Sequence, residues 1–418
     1  MKTEKSSRNK IRFGVVGILG YSRSHIGQIQ SAQDAGYPVE LSADFAYMRE
    51  KNEKQVAELE ARGVKIVNSY DELLEMKDVL DCITLPVGTP LHMPMGVKAL
   101  ESGFHVYLEK PVAGAIQDAD RLVQAEIKAG KKLFIGYQLC FQPIIWQLKR
   151  RLLDGDIGRI KRIVVVCYTP RTKSYFNRNS WAGRLAINGT VVLDSPLNNA
   201  NAHYINLALF LAGKEVDQSG CPCYVDAQLY RANDIESADT VSLKVITEQE
   251  IEIVWVSSHA CSISKGPRIR IEGSKKIISA DYGLPDKTWR EIPSGTAVVE
   301  DKWGSVNPFV QVAKWLQGDK TIPVCDMKIA RAQTLVVNAA HMAADVTKIS
   351  DRYIKAIVQE DGDILLSITG MDEILDICYE KGCMVSESGL APWSVPAGRV
   401  DARNLTYFIL PGSHLKGN

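Results

Sequence analysis

The stretch Val79-Leu-Asp81-Cys-Ile-Thr-Leu-Pro86, through His92, to Ala99-Leu-Glu-Ser-Gly103-Phe-His105-Val-Tyr-Leu-Glu109-Lys110-Pro111 decides how the chain is read. Two short apolar runs, 79–86 and 105–110, enclose a stretch of helical periodicity that stops at Gly103, a residue suited to a left-handed C-cap. Strand, helix and strand in that order make a parallel pair with a crossover helix. The alternation continues outward on both sides. IRFGVVG (11–17), VELSADF (39–45) and VKIVN (64–68) precede the segment, KLFIGYQ (132–138) follows it, and Gly63 and Gly130 close further helical stretches. Six such units predict an α/β domain, a Rossmann-type doubly wound parallel sheet, over residues 1–138.

From Ile160 the character changes. IKRIVVVCY, CYVDAQLYRA, DTVSLKVIT, EIEIVWVSS, RIRIEG and KKIISAD follow one another with hairpin-like connections, which predicts an α+β domain over 139–418 with a large, mainly antiparallel open sheet. One helix is expected at about 196–212, and a second at about 326–349, long enough to pack back across the first domain. The extension 350–418 carries a strand and a helix, YIKAIVQ and MDEILDICYEKG, whose purpose the sequence does not disclose. Helices on one face would leave a broad apolar face. Water disfavours that exposure, so a homodimer or homotetramer through the open sheet is expected.

Composition excludes several function classes. The 418 residues are 45% apolar and 24% charged, with 50 Lys+Arg against 49 Asp+Glu and a net charge of +1. A balanced chain with no basic block beyond its polar start, Met1 to Arg12, offers no surface for nucleic acid. No apolar run reaches the roughly 18 residues of a membrane span, and MKTEKSSRNK lacks a signal peptide's apolar core. A cytoplasmic protein is expected. The nine cysteines are dispersed and never spaced Cys-x-x-Cys, and the seven histidines form no ligand cluster, so neither a disulfide framework nor a metal is expected.

The first strand runs into Gly17-Ile-Leu19-Gly20-Tyr-Ser22-Arg-Ser24-His25. A glycine turn there lets backbone N–H groups and a helix N-terminus approach a diphosphate, although Leu19 and Ser22 stand where the G-x-G-x-x-G pattern has glycines. Asp44 ends the second strand, 27 residues after Gly17, where a carboxylate accepts both ribose hydroxyls of an adenosine. It also repels a 2′-phosphate. NAD is therefore expected in preference to NADP, with NADP still possible.

The pattern D-x-I-x-x-x-P…H…A-L-x-x-G-x-H-V-x-x-E-K-P resembles the glucose-fructose oxidoreductase, inositol dehydrogenase and rhizopine-catabolism family, Gfo/Idh/MocA. The similarity continues through Gly136-Tyr-Gln138, Pro143, Gly158, Trp181, Gly189-Thr-Val-Val-Leu-Asp194 and His203-Tyr-Ile-Asn206 to Gly213, over about residues 10 to 350. The resemblance implies an NAD(P)-dependent oxidoreductase acting on CH–OH groups of a sugar, cyclitol or related polyol. It implies that Gly17, Leu19, Gly20, Ser22, His25, Asp44, Pro86, His92, Glu109, Lys110 and Gln138 bind the cofactor. Lys110 ends a parallel strand, at the edge where open α/β sheets hold ligands. Alcohol oxidation needs the hydroxyl proton to leave as the hydride does, and the resemblance gives Lys110 that acid–base role.

His203 follows Ser195, which reads as an N-cap, and Pro196, which reads as the first helical residue. Asn199, His203 and Asn206 fall on one helix face. The family's usual text places an acid four residues before the histidine. Here Asn199 occupies that position and the acid, Asp194, lies nine residues before it. Either Asp194 supplies the charge that raises the basicity of His203, or Asn199 only orients the ring. The loop Tyr168 to Arg184 mixes cations, amides and aromatic rings, and Arg171, Tyr175 and Trp181, with Asn199 and His203, are the expected substrate contacts. Two alternatives stay open: an NAD-dependent glycoside hydrolase of the same family, and a non-catalytic dinucleotide-binding sensor or partner protein.

Overall fold

The computed structural model describes residues 10–284, 287–299, 304 and 306–410. The chain divides into two compact units. The first takes the residues up to Ala113, Asp118–Pro143 and Gly304–Met327; the second takes Gly114–Gln117, Ile144–Trp303 and the chain from Lys328 onward.

All six expected strands form in the first unit: β1 (Ile11–Val16), β2 (Val39–Phe45), β3 (Lys65–Val67), β4 (Cys82–Leu85), β5 (His105–Leu108) and β6 (Leu133–Ile135). They make one sheet in the order β3-β2-β1-β4-β5-β6, with every pair parallel. All four residues of β4 are buried, as a strand covered on both faces requires, and its one polar side chain, Thr84, is hydrogen-bonded to His25. Asp81, just before β4, takes the Arg12 guanidinium and backbone N–H at 2.9 and 2.8 Å, fixing β4 beside β1. The helix Pro308–Leu316 returns to this unit. Its Phe309, fully buried, meets Phe13 and Tyr107 with ring centroids 5.5 and 4.9 Å apart.

The helix expected at about 326–349 is shorter than the sequence suggests. The long helix runs over Met327–Ala343, ends before the strand β16 introduced below, and belongs to the second unit from Lys328 onward. Its polar residues explain the allegiance. Gln333 donates to the Leu197 carbonyl at 3.0 Å, and Asn338 bonds Gly114 and Ile116, all within the second unit.

The second unit contains β7 (Ile160–Tyr168), the short hairpin β8 (Ala186–Ile187) and β9 (Thr190–Val191), β10 (Pro222–Arg231), β11 (Thr240–Thr247), β12 (Glu252–Ser258), β13 (Lys265–Gly273), β14 (Ile277–Asp281), β15 (Arg290–Ile292), β16 (Val346–Lys348), a second hairpin β17 (Ile354–Val358) and β18 (Ile364–Ile368), and β19 (Gly398–Asp401). Nine strands share one sheet, in the order β15-β14-β13-β7-β12-β11-β10-β16 with β19 also on β10. Pairing is mostly antiparallel, but β7 with β12 and β10 with β16 are parallel.

Both faces of the sheet centre are covered by this chain. Val164, Val166, Val254 and Val256 form one core with Met371, Ile374, Leu375 and Cys378 of the helix Met371–Lys381, in the C-terminal extension. Residues of the opposite parity, Ile163, Val165, Ile253 and Trp255, are equally buried. The helix Ala202–Leu211, none of whose residues joins that core, packs on the same two strands from the other side. The face over β7 and β12 that was expected to meet a second copy is thus occupied by residues 371–381.

The helix expected at 196–212 is broken. A π-turn, Pro196–Ala200, precedes the α-helix Ala202–Leu211. The side chains at the junction have stronger uses than helical regularity: Asn198 donates to the Val192 carbonyl at 2.8 Å, and Asn201 donates to Thr169 and Ser257 at 3.0 and 2.8 Å.

Candidate functional site

In the first unit, the carboxyl ends of β1, β4, β5 and β6 carry most of the expected cofactor residues. Gly17 has φ +97°, a conformation that favours glycine, and a Cβ there would lie 2.7 Å from Ser22 Oγ. The helix begins at Ser22, earlier than the sequence suggests. The N–H groups of Ser22, Arg23 and Ser24 turn back onto the carbonyls of Leu19, Gly20 and Tyr21 at 3.2, 3.3 and 3.0 Å. The donors left for an anion are therefore those of the turn itself, Leu19 to Tyr21, rather than those of the first helical turn.

Beside this turn lies a buried polar chain. His25 is 1% exposed, and both of its ring nitrogens are committed, Nδ1 to Thr84 Oγ1 and Nε2 to Glu109 Oε1 at 3.0 Å. His25, expected at the cofactor, supports Glu109 through these contacts. The second Glu109 oxygen accepts the Lys110 N–H at 3.2 Å, so the imidazole, the carboxylate and the start of the Lys110-Pro111 turn form one unit. Gly136 makes room for it. A Cβ on Gly136 would stand 2.6 Å from Glu109 Oε1. His92, also 1% exposed, approaches the Pro111 carbonyl at 2.7 Å and the Val87 carbonyl at 3.0 Å, so it braces the far side of the same turn. Burial lowers the pKa of His92, which favours the neutral ring. Gln138 donates to Tyr21 Oη at 2.9 Å, joining the end of β6 to the glycine turn. Lys110 and Pro86 sit partly buried at the ends of β5 and β4.

Asp44 stands at the end of β2, fully buried, and neither carboxylate oxygen has a hydrogen-bond partner among the described residues. Burial without a counter-charge pushes its pKa up to about 8. Two orphaned acceptors on one carboxyl group match the two vicinal hydroxyls of a ribose. With the open donors of Leu19 to Tyr21, the residues present fit an adenine dinucleotide.

In the second unit the loop after β7 folds into a stack. The Arg178 guanidinium carbon lies 3.9 Å from the Tyr175 ring centroid and 5.1 Å from that of Trp181, and Arg171 lies 4.8 Å from Tyr175. Asp194, 5% exposed, accepts from Arg178 at 3.2 Å, from Asn199 at 2.8 Å and from the Gly183 N–H at 2.7 Å. The two alternatives drawn from the sequence are therefore joined: Asn199 and Asp194 bond to each other. His203 is partly buried in the first turn of Ala202–Leu211, while Asn206, one turn further on, is fully buried. The far end of that helix is capped by Lys149, whose buried ammonium donates to the carbonyls of Phe210, at 2.7 Å, and Gly213. Burial pulls the Lys149 pKa down to about 7.

The family model described as "Oxidoreductase family, NAD-binding Rossmann fold" matches residues 11–137, and that described as "GFO/IDH/MocA C-terminal domain" matches residues 145–279. The chain belongs to the GFO/IDH/MocA family of oxidoreductases. Among curated relatives, myo-inositol 2-dehydrogenase of Thermotoga maritima is 25% identical over 281 residues, covering 65% of this chain and 75% of the relative. Among solved structures, the WlbA dehydrogenase of Chromobacterium violaceum, in complex with NADH and UDP-GlcNAcA, superposes with a TM-score of 0.67 at 23% identity, over 80% of this chain and 93% of that one. The aldose-aldose oxidoreductase of Caulobacter crescentus, complexed with glycerol, gives 0.64 at 21% identity, over 80% and 97%. This GFO/IDH/MocA chain carries an NAD-binding Rossmann domain and is an oxidoreductase.

Within the family frame, several motif residues serve the scaffold: Asp81 pairs with Arg12, and His105 Nδ1 accepts the Lys132 N–H at 3.0 Å. Sequence reasoning missed Thr84, Tyr21, Arg178 and His259. Thr84 and Tyr21 lie inside quoted motifs and were legible only as spacers. His259 carries no motif signal at all. Its Nδ1 meets the Thr169 carbonyl at 2.7 Å, and its ring centroid lies 5.6 Å from that of Tyr175. Burial, then the Arg171 and Arg178 charges, lowers its pKa to about 3, so it is a neutral wall of the loop. Among the described residues, no group of three His, Cys, Asp or Glu could hold a metal ion, and no helix is long and apolar enough to cross a membrane.

Proposed function

We propose that the chain oxidises a secondary alcohol of a sugar, cyclitol or related polyol with NAD, using Lys110 and His203 as its acid–base groups. The observation that carries this reading is Lys110 at the carboxyl end of β5. Its backbone N–H is held by a Glu109 that His25 and Thr84 fix in turn, on the edge where the Gly17 turn and Asp44 fit a dinucleotide. Relatives named for inositol and aldose substrates support the same class.

NAD supplies the two-electron acceptor. The alcohol carbon gives up its hydride with both electrons of the C–H bond, the hydroxyl proton leaves to a protein base, and a carbonyl results. Lys110 hydrogen-bonds the reacting oxygen and either takes its proton or polarises it. His203, on a helix whose lead-in carries the Asn199–Asp194 pair, is the second proton-handling group. Arg171, Tyr175 and Trp181 bind the substrate, and Gly17, Leu19, Gly20, Ser22, Asp44, Pro86 and Gln138 hold the cofactor, while His92, His25 and Glu109 shape that edge. The cofactor role is assigned to the first unit, close to 1–138 with Gly304–Met327 added, and the substrate role to the second unit, close to the rest of 139–418.

The nine free cysteines support a cytoplasmic setting. A homodimer or homotetramer through the open sheet is proposed only for the part that the extension leaves uncovered. There, Ile277 and Ile292 face each other across β14 and β15 at 37% and 42% exposure, and light scattering at micromolar concentration tests it. The function itself is tested by a panel of sugars, cyclitols and polyols with NAD and NADP, followed by absorbance of the reduced cofactor. At least one polyol should give NADH. A panel that yields none, on protein shown to bind NAD, would overturn the reading.

A further inference from the structure

Arg171 is the partly buried arginine of the second unit's loop that has no carboxylate partner among the described residues. Two neighbouring cations are matched among the described residues, Arg178 by Asp194 at 3.2 Å and Arg184 by Glu236, while Lys173 is exposed to solvent. Among the described residues Arg171 makes no ion pair; its side chain hydrogen-bonds Tyr175, and its buried Nε has no hydrogen-bond partner. The nearby Asp363 is spent elsewhere, accepting the Ser174 N–H at 3.3 Å and hydrogen bonds from the Thr172 and Ser174 hydroxyls. His259, packed against Tyr175, brings no compensating negative charge. A desolvated donor beside a second guanidinium is costly, and such a group calls for an explanation.

The loop is also rigid where Arg171 leaves it. The Arg171 N–H donates to the His259 carbonyl at 3.0 Å, His259 bonds Thr169, and Thr172 forms a β-bridge with Leu365 of β18. The hairpin of the C-terminal extension therefore buttresses the residue next to Arg171. A preorganised guanidinium loses little freedom when it meets a ligand.

We infer that the substrate carries a carboxylate, which Arg171 receives through its unfilled donor edge, so that the alcohol oxidised belongs to a sugar acid or cyclitol-derived acid rather than to a neutral sugar. The inference rests on the proposed polyol oxidation and narrows its substrate class. A carboxylate suits the site better than a phosphate ester. A planar guanidinium edge matches a carboxylate with two parallel N–H···O bonds, whereas a phosphate dianion asks for more than one such edge.

The test compares glucose with gluconate and glucuronate, galactose with galacturonate, and glucose 6-phosphate as the phosphate arm, on NAD-loaded full-length protein. NADH formation and calorimetric binding are both read. The acids should exceed their neutral partners at least about tenfold in kcat/KM and in affinity, with a gap that narrows at high salt. Arg171→Gln should raise KM and Kd for the acid at least about tenfold more than for the neutral partner, and Arg171→Lys should fall between. Thermal melts confirm that each variant is folded.

Neutral sugars used as well as acids, or an Arg171→Gln effect equal on both, would overturn the inference while leaving the oxidoreductase reading intact. Preference for the phosphate ester would overturn the carboxylate assignment. Acids that bind through Arg171 with no NADH formed from any compound would sustain the inference and remove the reading on which it rests. No binding by any acid of the panel would overturn the inference outright.

Discussion

Asp44 should make NAD binding depend on pH, and the dependence can be worked from its surroundings. Its carboxyl group is fully buried without a hydrogen-bond partner among the described residues, and burial raises its pKa from 3.8 to about 8. At pH 6 roughly 1% of the empty protein carries the carboxylate; at pH 8 roughly half does. A carboxylate accepts both ribose hydroxyls, while the protonated acid must spend one oxygen as a donor. Binding therefore draws on the ionised fraction and releases a proton, and the NAD Kd should fall roughly 50-fold between pH 6 and pH 8. Asp44→Asn should flatten that slope and weaken binding at pH 8 by roughly 10- to 100-fold, the scale of charged hydrogen bonds lost. Fluorescence titration with NADH reads Kd. Calorimetry in buffers of different ionisation heat counts the proton released, close to one below pH 7. The same shift has a folding counterpart. Between pH 3.8 and about 8 the folded state holds a proton that the unfolded chain has lost, so this group's contribution to stability declines as pH rises through that window. A native Kd that is flat from pH 6 to pH 8, or an Asp44→Asn protein with an unchanged slope, would refute the reasoning.

Gly136→Ala places a methyl group 2.6 Å from Glu109 Oε1, so it should cost about 1–3 kcal/mol in urea unfolding and lower turnover as Glu109 moves. Lys110→Ala and His203→Ala should each reduce turnover about 10²-fold or more while leaving NADH titration curves nearly unchanged; near-normal turnover in both would remove them as acid–base groups. Asp194→Asn breaks the contact to Arg178, and denaturation should show a loss of about 2–4 kcal/mol. Asn199→Ala gives up one hydrogen bond to Asp194 and should cost nearer about 1 kcal/mol; the reverse order would place the support of this turn on Asn199. Lys149 releases its proton near pH 7 in the folded state but near 10.5 when unfolded, so its contribution to stability should grow across that window, and Lys149→Met should flatten the corresponding rise in melting temperature.

The parallel sheet was legible because its strands are short, buried on both faces and closed by glycines, so pattern and position agree. The edge proposed for the cofactor follows from the same pattern: sheet topology brings the carboxyl ends of β1, β4, β5 and β6 together whatever the intervening helices contain. Which motif residue touches a ligand and which supports another was not legible. His25 and His92 read as binding residues, yet the ring nitrogens of each lie against protein groups. A histidine's two nitrogens look alike in a sequence, and only the fold shows what they meet. His259 is the converse case. It follows β12 with no motif around it, and the loop 168–184 reaches it only because β7 and β12 lie side by side in parallel.

The extension shows a different limit. An open sheet with helices on one face leaves an apolar face, and physical chemistry requires that face to be covered without saying by what. A second copy and a later segment of the same chain satisfy the requirement equally, and both leave the same alternating strands in the sequence. Over β7 and β12 the chain settles the matter with Met371–Lys381, whose apolar stripe of Met371, Ile374, Leu375 and Cys378 supplies the opposing side of the core. The same extension carries β17 and β18, which meet the loop beside Arg171, and β19, which pairs with β10. Covering the sheet and bracing the loop 168–184 are therefore physically linked, because Ile368 of the hairpin that reaches Thr172 packs in the same core as the helix that buries the sheet. A change in how this segment packs would therefore reach Arg171 through its neighbour Thr172.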